Sequence, residues 1–262
     1  MRERLRALGG GGRVRLDLEG PVAALVLDHP EAANALSGVM LAELADAVDA
    51  LEAWDGVAVL ARGRGDRAFC AGADLRMVRE QLRTPEDGLA MCRFMQALTQ
   101  RILHLPQVTC AALEGATLGG GAELATAFDH RVSGGGRICF VQARLGLSPG
   151  WGGGARLVRL VGRSVALELL AGSVSVEGPR SLAIGLVDAL AEPARAEAEA
   201  RRLLERYTRW PVESVRAAKR LVAEASEASL AHGHEVAAAG FSELWSGPAN
   251  RSALAALDKG RG

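Results

Sequence analysis

An unbroken apolar run constrains this chain more than any other feature. Val57-Ala58-Val59-Leu60-Ala61 has no polar residue, and residues 108–113 form a second run that is nearly as apolar. A strand with one wet face alternates apolar and polar residues, so an unbroken run implies a strand covered on both faces. Such strands sit in parallel sheets with helices on either side. The spacing between the runs agrees. Met40, Leu41, Leu44, Val48 and Leu51 recur at helical spacing over residues 40–54, with Ser37 as the cap, and residues 89–103 repeat the pattern. Alternating strands and helices predict an α/β protein with parallel pairing.

The flanks add detail. Residues 14–18 alternate apolar and polar, Glu19-Gly20-Pro21 turns, and residues 22–27 follow as a second strand, so a β-hairpin is expected. Gly119-Gly120-Gly121 opens a helix over 122–128, and a short strand lies near Arg131-Val132. After Pro149 the pattern turns helical, at 156–161, 165–170, 179–184, 194–207 and 211–225. This divides the chain into a core of residues 1–190 and a C-terminal helical region of residues 191–262. The basic start, MRERLRALGGGGR, lacks the apolar stretch of a signal peptide and reads as a frayed terminus.

Bulk composition removes several function classes. Lys+Arg and Asp+Glu each total 31, and a zero net charge argues against nucleic acid or an anionic membrane as partner. No apolar run reaches the ~18 residues of a membrane span. The four cysteines show no C-x-x-C spacing and read as free thiols in a reducing, cytoplasmic setting. His232-x-His234 has no carboxylate or cysteine at ligand spacing, so it reads as a helix surface and no metal is expected.

Three stretches can carry chemistry. In Ala68-Phe69-Cys70-Ala71-Gly72-Ala73-Asp74-Leu75, small residues let a ligand approach the backbone, and Asp74 can cap a following helix. The same residues also suit an ordinary strand-to-helix turn. In Glu114-Gly115-Ala116-Thr117-Leu118-Gly119-Gly120-Gly121-Ala122-Glu123-Leu124, the glycines bare N–H groups at a helix start, where an anion or oxyanion is stabilised, with Glu123 in the first turn. Together the two loops can supply two N–H donors to one oxygen, the arrangement of an oxyanion hole. The third stretch, Gly146-Leu147-Ser148-Pro149-Gly150, spells the G-x-S-x-G of serine hydrolases. That elbow needs a backbone N–H on the residue after the serine, and Pro149 has none.

These motifs resemble the crotonase (enoyl-CoA hydratase/isomerase) superfamily over nearly the whole chain. The resemblance rests on His29-Pro30-Glu31-Ala32-Ala33-Asn34-Ala35-Leu36, on residues 69–75 and 118–124, on Leu147-Ser148-Pro149-Gly150-Trp151-Gly152-Gly153, and on Ala183-Ile184-Gly185-Leu186-Val187-Asp188, in that order. It implies a spiral of ββα turns with a C-terminal helical trimerisation region, and a homotrimer or hexamer. It also implies acyl-CoA substrates, with no metal or redox cofactor and coenzyme A arriving as part of the substrate. By position it assigns the oxyanion-hole amides to Ala71 and Gly120 and a catalytic carboxylate to Glu123. Substrate contacts fall to Ala33, Ala35, Gly72, Ala73, Asp74, Leu75, Gly119, Pro149 and Trp151. Trp151 is either a wall of the acyl pocket or a core residue.

One position departs from the pattern. The family's hydratases use two glutamates, and the second is matched here by Gln142. A glutamine is no general acid or base. A neutral amide suits a substrate that carries its own carboxylate, because a second glutamate would repel it. Phe140-Val141, residues 145–153 and residues 244–250 resemble the pocket segments of ethylmalonyl-CoA decarboxylases, a branch that also lacks the second glutamate but is expected to carry a histidine at the position of Gln142. The expectation is decarboxylation of a short branched malonyl-CoA derivative, with single-glutamate hydration or isomerisation, or acyl-CoA binding without catalysis, as alternatives.

Overall fold

The computed structural model describes residues 1–82 and 84–227. The chain opens with α1 (Arg2–Ala7) and the antiparallel hairpin of β1 (Arg13–Asp17) and β2 (Val22–Asp28). The helix corrects the frayed start expected from sequence. Leu5 is completely buried, and Arg2 pairs with Asp46 and Asp49 on the next helix. One apolar anchor thus fixes an otherwise basic segment. That next helix, α2 (Gly38–Ala53), starts at Ser37, whose hydroxyl accepts the Met40 N–H.

The middle of the chain runs β3 (Ala58–Gly63), β4 (Ala68–Cys70), α3 (Leu75–Gln81), α4 (Pro85–Leu103) and β5 (Val108–Leu113). Next come β6 (Ala116–Leu118), α5 (Gly120–Ala125), β7 (His130–Ser133) and β8 (Ile138–Cys139). The last third holds α6 (Gly153–Leu170), α7 (Gly178–Ala183), β9 (Ala189–Leu190), α8 (Ala196–Thr208) and α9 (Val212–Glu227). Gly162, at φ 76°, interrupts α6 between the two segments predicted there. The strand β9, too short to leave a pattern, was not anticipated.

Among the described residues the main sheet has six strands in the order β1-β2-β3-β5-β7-β9, parallel from β2 onward. Alternate residues of β3 enter different cores. Val59 and Ala61 join the core under α2 and α4, while Ala58 and Leu60 pack with Ala196, Ala200, Leu203 and Leu204 of α8. Coverage on both faces is the physical reason for the unbroken apolar run. Glu114 anchors α8 by accepting the N–H groups of Ala194 (2.9 Å) and Ala196 (3.1 Å).

A second, three-stranded parallel sheet, β4-β6-β8, sits beside the first. Its strands have two or three residues each, too few for a hydrophobic period to show in sequence. No described helix is long and apolar enough to cross a membrane. His232, His234 and residues 244–250 lie outside the described residues.

Candidate active site

The small sheet builds the site. Its strands are parallel and adjacent, so their C-terminal ends release three loops at one edge. β4 leads into Ala71, Gly72 and Ala73; β6 leads into Gly119, Gly120 and Gly121; β8 leads into a single 3-10 turn, Val141–Leu145, that carries Gln142. The first two loops touch. A Cβ on Gly72 would lie 2.8 Å from Gly120 N, and one on Gly121 would lie 2.2 Å from the Cys70 carbonyl oxygen. Gly72 also sits at φ +94°, where side chains are strained.

The structure does not leave the Ala71 amide free for the role the resemblance implied. The Ala71 N–H is already committed to the Ala33 carbonyl at 3.0 Å. Ala73 is the free neighbour. Leu36 forms a parallel bridge by donating to the Gly72 carbonyl (2.7 Å) and accepting from Asp74 N (3.0 Å). The Ala73 N–H between them faces the other way, and Gly120, as the first residue of α5, has no intrahelical acceptor. Among the described residues neither N–H has a protein acceptor.

Asp74 caps α3 by accepting from Arg76 N (2.8 Å) and Met77 N (3.2 Å), as read from sequence, and Leu75 is left exposed beside it. Ala33 and Ala35 are more constrained than expected. Their N–H groups turn inward, to the carbonyls of Pro30 (3.2 Å) and Ala32 (3.0 Å), so they offer a ligand no free donor. Ala33 and Asn34 hold positive φ (52° and 54°), a strain of about 1–3 kcal/mol each. The buried Asn34 side chain sustains it, accepting His29 N–H (2.9 Å) and donating to the carbonyls of Ala68 (2.7 Å) and Arg64 (3.1 Å).

Glu123 lies at the centre and is 1% exposed. Its Oε1 accepts Gln142 Nε2 (2.8 Å) and Gly150 N (3.2 Å), and its Oε2 accepts Trp151 N (2.8 Å) and Gly153 N (3.0 Å). Burial pushes its carboxyl above the ordinary carboxylate range, opposed by the amides of Trp151, Gly153 and Gly150 and by the Arg156 charge. Gln142 therefore touches the very carboxylate that the sequence singled out. Gly153 sits so close that a Cβ there would lie 2.5 Å from Glu123 Cα.

Trp151 takes the core position of the two considered for it. It is buried, and its indole ring covers Gly120, where a Cβ would meet Trp151 ring atoms at 2.5 Å. Pro149 is half-buried at the entry to this turn, and Ser148 is exposed. Helix α4 grips the turn from outside. Gln96 Nε2 donates to the Gly150 carbonyl (2.9 Å), and Thr99 Oγ1 donates to the Trp151 carbonyl (2.9 Å). Cys92 presses its Sγ against Gly150, where an added Cβ would lie 2.5 Å away. Arg156 reaches back to the carbonyls of Trp151 (3.1 Å) and Glu123 (3.3 Å). Sequence reasoning missed Cys92, Gln96, Thr99 and Arg156, because no local motif marks residues that meet the site only through tertiary packing.

The enoyl-CoA hydratase/isomerase family profile matches residues 17–259. The chain belongs to the enoyl-CoA hydratase/isomerase family. It is a crotonase-fold protein of the acyl-CoA enzymes, as the motif order implied. The ethylmalonyl-CoA decarboxylase of Danio rerio is 39% identical over 99% of this chain and 88% of its own length. That of Homo sapiens is 36% identical over 95% of this chain and 82% of its own length. Among solved structures, an enoyl-CoA hydratase from Bacillus anthracis superposes with a TM-score of 0.89 at 26% identity, covering 94% of this chain and 96% of the hydratase. One from Polaromonas sp. JS666 gives 0.86 at 28% identity, covering 94% and 96%.

Proposed function

We propose that this family member decarboxylates a short branched malonyl-CoA derivative, ethylmalonyl- or methylmalonyl-CoA. The thioester oxygen lies between the N–H groups of Ala73 and Gly120. Those donors stabilise the enolate left when CO₂ departs, and removing one such donor typically costs about 10²–10³-fold in rate. The observation that carries the reading is the Gln142–Glu123 contact at 2.8 Å. A neutral amide stands where the family's hydratases have a second carboxylate, so a substrate carboxylate meets one negative charge fewer. Both Glu123 oxygens are already occupied by donors, which turns that charge toward the protein. The decarboxylase relatives support the same substrate class.

The reaction needs no metal or redox cofactor, since coenzyme A comes as part of the substrate, and the working assembly is a homotrimer or hexamer. A second reading, hydration by Glu123 alone, draws on the hydratase neighbours. It requires Glu123 to release one of its donors to hold a water. The test of the leading reading is Gln142→Glu. Restoring the second carboxylate is expected to lower kcat/KM on ethylmalonyl-CoA about tenfold or more, an effect of about 1.4 kcal/mol. Undiminished turnover by this variant would overturn the charge argument.

A further inference from the structure

The glycine run near the N-terminus takes no part in the chemistry above, yet it packs against the loop that carries the oxyanion strand. Leu5 is completely buried, and its carbonyl oxygen would lie 2.3 Å from a Cβ on Gly38. The Gly9 carbonyl accepts the Val39 N–H at 3.2 Å, just past the Ser37 cap of α2. A Cβ on Gly10 would lie 2.5 Å from Ser37 Cβ, one on Gly11 2.9 Å from His29 Nε2, and one on Gly12 2.6 Å from His29 Cβ. Gly10 and Gly12 also hold φ of +108° and +79°, which glycine alone adopts without strain. Residues 9–12 therefore lie over both ends of the 29–37 loop.

That loop holds the strand of residues 71–74. Its Ala33 carbonyl takes the Ala71 N–H (3.0 Å), and Leu36 pairs with Gly72 and Asp74 on either side of Ala73. The strand then runs into α3, where Gln81 Nε2 donates to the Leu8 carbonyl (3.2 Å). Arg4 pairs with Asp87, which belongs to the capping box of α4. The N-terminal segment thus touches the supports on both sides of Ala73. Its attachments differ in strength. Arg2, Arg4 and Arg6 pair with Asp46, Asp49 and Asp87 at the surface, where ion pairs contribute little, whereas Leu5 is removed from water entirely. We propose that residues 1–12 form a strap that positions the Ala73 N–H, with Leu5 as its anchor and the glycines as its contact with the loop. The strap is a positioning element, acting through the loop. A donor helps only while it points at its acceptor, because hydrogen bonds weaken steeply with angle. A loosened strap therefore weakens the hold on a thioester oxygen and leaves the other acyl-CoA contacts as they were. The inference rests on the oxyanion role proposed for Ala73 above.

The experiment titrates the protein calorimetrically with two ligands that differ at one group. Butyryl-CoA is a thioester, and S-butyl-CoA is the thioether that lacks the carbonyl oxygen. The wild type is expected to bind the thioester more tightly. In Leu5→Ala that preference is expected to fall about three- to tenfold, the net worth of one hydrogen bond, with the thioether bound as before. The ratio of the two affinities cancels any loss of folded protein, so a merely structural role for Leu5 leaves it at the wild-type value, and that result overturns the inference. If Leu5→Ala does not fold, Gly11→Ala is read by the same ratio, since it crowds His29 without opening a cavity. A fall again supports the strap, and an unchanged ratio overturns it. If the wild type itself shows no preference for the thioester, the oxyanion role of Ala73 fails and takes the strap with it. A wild type that has the preference yet releases no CO₂ from ethylmalonyl-CoA refutes the decarboxylase reading and leaves the strap standing.

Discussion

Glu123 accepts four hydrogen bonds from four different residues, and this fixes what a substitution there does. In Glu123→Gln the amide nitrogen must face donors that had an acceptor, which is expected to cost about 1–3 kcal/mol in denaturant unfolding. The pH dependence has a definite sign. The folded-state pKa of Glu123 is raised by burial, so its contribution to stability is fully present below the unfolded carboxylate range, about 4.3, and is lost as pH rises through the folded value. The stability advantage of the wild type over Glu123→Gln should therefore shrink on going from acid toward neutral pH, and a pH-independent difference would contradict this. The thiols give a second check. Burial pushes Cys70 and Cys110 up to about 12, Cys139 is 1% exposed, and Cys92 is half-buried at the turn surface. An aromatic disulfide reagent should titrate Cys92 alone in the native protein and all four cysteines after denaturation. Burial and the Glu123 charge both raise the Cys92 thiol, so its reaction should quicken as pH rises.

At the scale of elements, the small sheet and helix α4 set the site. Gly72→Ala places a Cβ 2.8 Å from Gly120 N at a residue with φ +94°. It is expected to displace one proposed oxyanion donor and lower kcat about 10²–10³-fold, with the far-ultraviolet circular dichroism preserved. Gly88→Ala is the control. Nothing lies within 4 Å of a Cβ there, inside α4, so activity should hold and stability should rise by up to about 1 kcal/mol. Elements of this kind also explain what sequence could reveal. The helices α2 and α4 and the strand β3 were legible because each is long enough to show a period or an unbroken run. The strands β4, β6 and β8 were not, having two or three residues each. Their loops were still legible through glycines and Glu123. The choice of Ala73 over Ala71 was not, because it depends on which N–H the Ala33 carbonyl takes. The grip of Gln96 and Thr99 on the 150–151 turn likewise joins segments 54 and 52 residues apart.

At the scale of the molecule, two cores hold the main sheet between α2 and α4 on one face and α8 on the other. Leu204 is completely buried in the second core, and Leu204→Ala is expected to cost about 2–5 kcal/mol by equilibrium unfolding. Val222 is 64% exposed, and Val222→Ala should stay within about 0.5 kcal/mol of wild type in the isolated chain. A fold braced on both sides lets the edge of the small sheet hold free N–H groups in place without substrate. The central claim is that those groups stabilise an enolate made by loss of CO₂, and mass spectrometry of the acyl-CoA products tests it most directly. Presented with ethylmalonyl-CoA and crotonyl-CoA together, the protein should convert the first to a product lighter by one CO₂ and leave the second unchanged. Addition of one water to crotonyl-CoA, with ethylmalonyl-CoA intact, would contradict it.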